Sequence, residues 1–338
     1  MKKYYYDKEP LKVFGVPFFD QTKRLERVPE HIRNTVPSLS YLGRRVPGAR
    51  LCFRTNSPRV VVHIGYEKLE VDVGVSIYQC QSGAVFIGDR TKSRYAGLIH
   101  PTSYNDFSAT ETFYKSNELE DILIYLPRNP VITYISIEVE DDAVVLPPTP
   151  YRYEKPILYY GSSITECGCV MVSNGYNSII SRWLDVDFYN FGFSGSAKGE
   201  PEIAEYINTI EKSIFVYDYD HNAPDVAHLE KTHEPFFKIV REYDRALPIV
   251  IMSRPNFYEG TEDAKRREVI RKTYENAVSA GDKNVYFIDG ETFFGEENRA
   301  LCTLDTVHPN DLGFYRMAKT ICPVINKILE EQYMCFKS

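Results

Sequence analysis

The sequence has no long apolar run, no excess of basic charge and no recognisable metal-ligand spacing, and each absence excludes a class of function. No segment approaches the ~18 consecutive apolar residues that span a bilayer, so no membrane helix is expected. The 40 basic residues are outnumbered by 47 acidic ones, for a formal net charge of −7. Nucleic acids and anionic membranes select for basic patches. The basic clusters here, Arg44-Arg45 and Lys265-Arg266-Arg267, are short and read as solvated surface, so neither partner is expected. The seven cysteines are odd in number and irregularly spaced; Cys167 and Cys169 are too close for an ordinary disulfide, and no pair of CxxC motifs offers a zinc site. His221, His228 and His233, with Asp220 and Asp225, invite a metal hypothesis. Their spacing does not fit one helical face and no HExxH motif is present, so neither metal nor cofactor is expected. Behind Met1-Lys2-Lys3 no apolar stretch follows, which does not read as a secretory signal. A reduced, cytoplasmic protein is the expectation. There is no internal repeat and no low-complexity segment.

What is present divides at a proline-rich connection. Up to about Pro150 the chain reads as short strands. Val71 to Tyr78 alternates apolar and polar residues strictly, and Val131 to Val139 does so with its odd-numbered positions inward, each predicting one buried face at period two. Shorter runs, Leu51 to Arg54, Val60 to Ile64, Val85 to Ile87 and Ile122 to Tyr125, are separated by turn residues. Strands at this spacing, with no long helix, predict a β-sandwich of jelly-roll type over residues 1–150. Pro147-Pro148-Thr149-Pro150 is a stiff, extended link, because proline fixes φ and restricts its predecessor. Over residues 151–338 strand and helix alternate. Ile157 to Tyr160, Phe188 to Phe191, Ile214 to Tyr219, Ile249 to Ser253 and Val285 to Ile288 read as buried strands. Tyr176 to Leu184, Pro235 to Arg245 with Thr232 as N-cap, Glu262 to Ala280, and Asp311 to Gln332 with a kink at Pro323 read as helices. Such alternation predicts a mostly parallel sheet covered on both faces, with the site at the carboxyl ends of its strands.

The residues able to carry chemistry all fall there. Gly161-Ser162-Ser163 follows the first strand of this half, Gly192-Phe193-Ser194-Gly195 the second, and Asn222 the third; Asp305 and His308 precede the last helix. Acyl transfer needs a nucleophile, a base, a group to orient the base, and donors for the oxyanion. Ser163 suits the first role, His308 the second and Asp305 the third. The N–H groups of Ser163 and Gly195 with the Asn222 amide would form the oxyanion hole. Taken singly, each is more simply a turn or cap residue; the ordered set outweighs that reading. Arg254, after the fourth strand, and His233 are further candidates for substrate contact, though surface or structural duty suits both as well. Trp183 lies on an apolar helix face and reads as core.

These blocks resemble the SGNH (GDSL-type) hydrolase superfamily, and more closely its two-domain bacterial branch. In that branch an N-terminal β-domain carries a Gly-x-Asp-Leu-Tyr signature, to which Gly74-Val75-Ser76-Ile77-Tyr78 is similar. Ser162 and Ser76 each stand where the family has Asp, neither being the nucleophile. The resemblance implies a three-layer α/β/α, flavodoxin-like catalytic domain that works without metal, on esters. With a jelly-roll partner it implies a carbohydrate deacetylase acting on a small-molecule or oligosaccharide ester. A lipase or thioesterase for longer chains, and a non-catalytic glycan-binding protein, remain as alternatives at this point.

Overall fold

The computed structural model describes residues 1–70, 75–255 and 261–337. Its first lobe is a sandwich of two antiparallel sheets, built from ten strands: β1 (Lys2–Tyr5), β2 (Lys12–Phe14), β3 (Arg50–Thr55), β4 (Arg59–Tyr66), β5 (Gly83–Ile87), β6 (Arg94–Ile99), β7 (Ser108–Tyr114), β8 (Glu120–Tyr125), β9 (Ile132–Val139) and β10 (Val145–Leu146). One sheet has the order β1-β9-β4-β7, the other β10-β3-β8-β5-β6 with β2 paired to β3. Alternate residues such as Val60, Val62 and Ile64 of β4 and Ile135, Ile137 and Val139 of β9 point between the sheets into one apolar core. The odd-inward pattern of β9 holds only from Ile135 on. A register shift opposite Gly65/Tyr66 skips Thr133, so Thr133 is exposed while Ile132 is buried.

Three short helices lie in this lobe: α1 (Phe19–Thr22), α2 (Glu30–Thr35) and α3 (Ile77–Cys80). The last corrects the expected strand over Val71 to Tyr78. Val71 to Gly74 lie outside the described residues, and Ser76 caps a helical turn through a reciprocal capping box with Gln79. An oxygen-bearing residue thus serves Ser76's position as a helix cap.

The second lobe carries five parallel strands, β11 (Tyr153–Gly161), β12 (Val186–Gly192), β13 (Ile214–Asp218), β14 (Ile249–Met252) and β15 (Val285–Ile288), in the order β12-β11-β13-β14-β15. Its helices are α4 (Tyr176–Leu184), α5 (Pro201–Asn208), α6 (Val226–Tyr243), α7 (Glu262–Ser279) and α8 (Asp311–Lys337). The sheet is buried on both faces, which is why its strands are apolar almost without a break. Ile157 and Tyr159 pack with residues of α4 and α8 on one side. Leu158 and Tyr160 pack with α5, α6 and α7 on the other, completing three layers.

Two helical boundaries and one side chain differ from expectation. Helix α6 begins at Val226, not after Thr232, because the Asp225 carboxylate accepts from the His228 N–H at 2.7 Å and caps it there. Helix α8 ends at Lys337, beyond the expected Gln332, with Pro323 inside it. Trp183 is 40% exposed, its ring edge-on to Tyr315 at 5.8 Å, rather than in the core.

The lobes are not beads on a string. Val28, Val36 and Leu39, from the segment ahead of β3, belong to the apolar cluster under the parallel sheet. Cys52, Phe86 and Tyr125 of the sandwich join the cluster on its opposite face. Among the described residues no helix is long and apolar enough to cross a membrane.

Candidate active site

Ser163 sits where β11 ends. The Gly168 N–H donates to the Ser163 carbonyl at 2.7 Å and the Glu166 N–H to that of Ser162 at 3.0 Å, so the chain turns back on itself immediately after the serine. Ser162 is buried, and its Oγ accepts the Ile164 N–H at 3.2 Å; the small hydroxyl serves this turn without a carboxylate. In the connection between β15 and α8, Leu304 to Pro309 form a tight reversal closed by the Leu304 N–H donating to the His308 carbonyl at 2.9 Å. Within it the Asp305 carboxylate accepts from the N–H groups of Val307 and His308, at 3.1 and 2.7 Å, as Asp commonly does in a turn. Thr306 is held at φ +71°, a strained value for a β-branched residue.

These two turns meet. Ser163 Oγ lies 2.8 Å from His308 Nε2, and His308 Nδ1 lies 2.7 Å from Asp305 Oδ2. Partial burial pushes the Asp305 carboxyl upward, but the backbone N–H and ring of His308 and the N–H of Val307 outweigh this and hold it below the ordinary carboxylate range. Asp305 therefore stays charged, and its Oδ2 fixes the imidazole with the proton on Nδ1 and Nε2 free to accept from the serine.

Beside Ser163 stands the loop after β12. Gly192 is in close approach to the nucleophile turn: a Cβ there would fall 2.1 Å from the Glu166 nitrogen. Gly195 takes φ +68°, which glycine adopts without steric cost. The Asn222 amide donates one hydrogen to the Phe193 carbonyl at 2.8 Å, leaving its second for another acceptor. The backbone N–H groups of Ser163 and Gly195 donate to no other described residue. Three unspent donors thus belong to residues that line one cleft with the serine hydroxyl.

The cleft above these groups has a volume of about 1220 Å³ and is walled by both lobes. Arg45, Glu70, Val75, Arg128 and Asn129 come from the first lobe, and nothing in the local sequence around them marks them as facing a site.

The other candidates fare differently. Arg254 reaches the cleft wall, but its guanidinium is committed to Asp220, at 3.0 and 2.9 Å, and to Asp263. It is a part-buried cation on the cleft wall whose guanidinium is held in ion pairs. His233 is fully buried away from the cleft, stacked on Tyr217 at 4.5 Å with Nδ1 2.8 Å from the Thr273 hydroxyl, and burial pushes its pKa down to about 3. The substrate-contact assignment of His233 is therefore corrected, while Arg254 stands at the cleft wall. The histidines that suggested a metal are dispersed: His228 Nε2 meets the Lys198 carbonyl at 2.9 Å, while His221 lines the cleft beside Asn222. Burial, then the Arg254 charge, push His221 down to about 3, so its ring is neutral.

Below the nucleophile, Asp218 at the end of β13 accepts from the Thr165 hydroxyl at 2.8 Å and the Tyr176 hydroxyl at 3.4 Å. Burial raises its pKa from 3.8 to about 7, its hydrogen bonds only partly opposing this. Native Asp218 thus keeps its proton to about pH 7 while the unfolded chain releases it near 3.8, so this group makes stability fall as pH rises through that window. Asp218→Asn should flatten the decline in urea midpoint between pH 5 and pH 8. Identical slopes for variant and wild type would refute this.

A serine, a histidine and an aspartate in hydrogen-bonded sequence is the arrangement that serine-dependent acyl transfer requires. Residues 154–326 match the GDSL-like lipase/acylhydrolase family, and residues 3–145 match the N-terminus of SGNH-hydrolase-type esterases. The chain belongs to the GDSL-like lipase/acylhydrolase family. It is similar over its whole length to a structure described as a GDSL-like lipase from Bacteroides ovatus, at 25% identity and a TM-score of 0.86, covering 97% of this chain and 98% of that one. A salicylyl-acyltransferase from a tetracycline biosynthetic pathway, SsfX3, shares the fold at 19% identity and a TM-score of 0.77, with 95% of each chain covered. A family two carbohydrate esterase from Clostridium thermocellum does so at 14% identity and 0.64, covering 84% of this chain and 93% of that one. No curated protein gives a significant match.

Proposed function

We propose that this protein is a serine esterase that removes a small acyl group, acetyl above all, from a carbohydrate ester. The observation that carries the proposal is the pair of contacts Ser163 Oγ–His308 Nε2 at 2.8 Å and His308 Nδ1–Asp305 Oδ2 at 2.7 Å, opening on a cleft. In the acylation step Ser163 Oγ attacks the ester carbonyl as its proton passes to His308 Nε2. Negative charge gathers on the carbonyl oxygen, and the N–H groups of Ser163 and Gly195 with the Asn222 amide receive it. His308 then gives its proton to the departing sugar alkoxide. Water, deprotonated by the same nitrogen, attacks the acyl-serine; collapse releases the acid and returns the proton to Ser163.

The cleft favours a small acyl group on a polar body. Its wall carries Arg45, Glu70, Arg128, Lys198, Glu262 and Asp263, interspersed with the apolar side chains of Val75, Ala223, Leu304 and Val307. Burying a long alkyl chain requires a mostly apolar lining, at ~0.8 kcal/mol per methylene gained. Hydroxylated rings, by contrast, suit a lining that mixes charged and apolar side chains.

A series of nitrophenyl acetate, butyrate and octanoate, run beside acetylated sugars, tests this. Turnover should fall with chain length, and acetate should be released from at least one sugar. A preference for octanoate would replace the proposal with a lipase or thioesterase, and no turnover on any ester would leave a binding protein.

A further inference from the structure

One carboxylate beside the nucleophile has no part in the steps above. Glu166, three residues after Ser163, is wholly buried. Its Oε2 accepts from the Ser194 N–H at 2.8 Å and from the Ser194 hydroxyl as well. Its Oε1 faces Arg27 Nη2 at 3.7 Å and Arg45 Nη1 at 3.9 Å. Both arginines belong to the segment ahead of β3. An ion pair in a dry interior contributes little net stability, because desolvation offsets its attraction. What such a group does supply is fixed geometry.

The geometry at stake is that of the oxyanion loop. Gly195 has nothing within 4 Å of where a Cβ would lie, so no neighbour on that side restrains its backbone. Glycine is free in φ and ψ, so the direction of its N–H must be set by the hydrogen bonds of its neighbours. Phe193 is tied by its N–H to the Gly161 carbonyl at 2.9 Å and by its carbonyl to Asn222. The next peptide, that of Ser194, is tied by Glu166. Arg27 braces the same stretch from behind, its Nη1 donating to the carbonyls of Asn190 and Gly192 at 2.7 Å each and its guanidinium lying 4.6 Å over the Phe193 ring. Burial lowers the Arg27 pKa only to about 10, so it remains a cation at neutral pH.

We infer that Glu166 is a positioning residue for the oxyanion hole: paired with Arg27 and Arg45 of the first lobe, it fixes the Ser194 peptide and so aims the Gly195 N–H. The inference rests on the acyl-transfer reading of Ser163. It makes the first lobe part of the catalytic apparatus, acting through Glu166 on a donor it does not touch.

The test measures kcat and KM on nitrophenyl acetate, and the rate of fluorophosphonate labelling, for Glu166→Ala, Glu166→Gln, Ser194→Ala and the control Ser163→Ala. Glu166→Ala should lower kcat and the labelling rate by ~10²-fold with KM within ~3-fold, the scale of a misdirected oxyanion donor. Glu166→Gln retains an acceptor for Ser194 and should recover to within ~10-fold of wild type. Should Glu166→Ala fail to fold, the combination of Glu166→Gln with Ser194→Ala decides: the two losses should be non-additive, since both act on one contact. A folded Glu166→Ala enzyme with wild-type kcat, a loss confined to KM, or additive losses would overturn the inference. If Ser163→Ala itself kept full turnover, the acyl-transfer reading would fail instead.

Discussion

Ser163→Ala should reduce kcat on nitrophenyl acetate by about 10⁴-fold or more while leaving the urea midpoint unchanged, because removal of the nucleophile leaves only binding and the oxyanion donors. The side chain is half-buried and its one polar contact is with His308, so little folding free energy is attached to it. His308→Ala should fall by a similar factor, and the double variant no further, since nucleophile and base act as a unit. Asp305→Asn should cost less, about 10²-fold. The Asp305 side chain is 48% exposed, and water screens its interaction with the imidazole more than it would screen a buried carboxylate. Full-rate hydrolysis by any variant at Ser163 would remove the foundation of the account.

The second large effect is on stability. Arg27→Met should lower global stability by about 3–5 kcal/mol, the usual consequence of stripping one partner from a buried charged network. Arg27 Nε and Nη2 donate to the carbonyls of Arg45 and Leu42 at 2.8 and 2.9 Å, in addition to the two bonds from Nη1. Methionine fills the space but leaves four carbonyls without that donor, and Glu166 with Arg45, at 3.9 Å, as its remaining cation. With a denaturant slope near 3 kcal/mol/M, the urea midpoint should drop by roughly 1 M or more. A shift below ~0.2 M would show that these bonds are readily replaced.

How far the chain disclosed itself depends on where each signal lies. The five parallel strands and α4 stand out because burial on both faces forces apolar runs into the sequence, as in Ile157 to Tyr160. β6 and β7 escape notice because each is an edge strand, half in water, where alternation is not enforced. The start of α6 hides in Asp220 to Asp225, since a capping carboxylate and a turn carboxylate look alike until the N–H they accept from is known. Ser163, Asp305 and His308 are legible because each needs only its own turn to be presented, and the turns are written in neighbouring residues. Glu166 and Arg27 are not, for their meaning arises only when the strand after Val186 lies against the nucleophile turn. The surroundings of Arg254 are hidden for the same reason: only the fold reveals Asp220 and Asp263 around it at the cleft wall.

Treatment of the native enzyme with a fluorophosphonate, followed by intact mass and peptide mapping, tests the central claim most directly, since only an activated serine reacts. The account predicts one adduct per chain, on Ser163, formed rapidly in wild type, abolished in Ser163→Ala and strongly slowed in His308→Ala. No adduct on the folded protein, or an adduct on another residue that tracks with loss of activity, would contradict it.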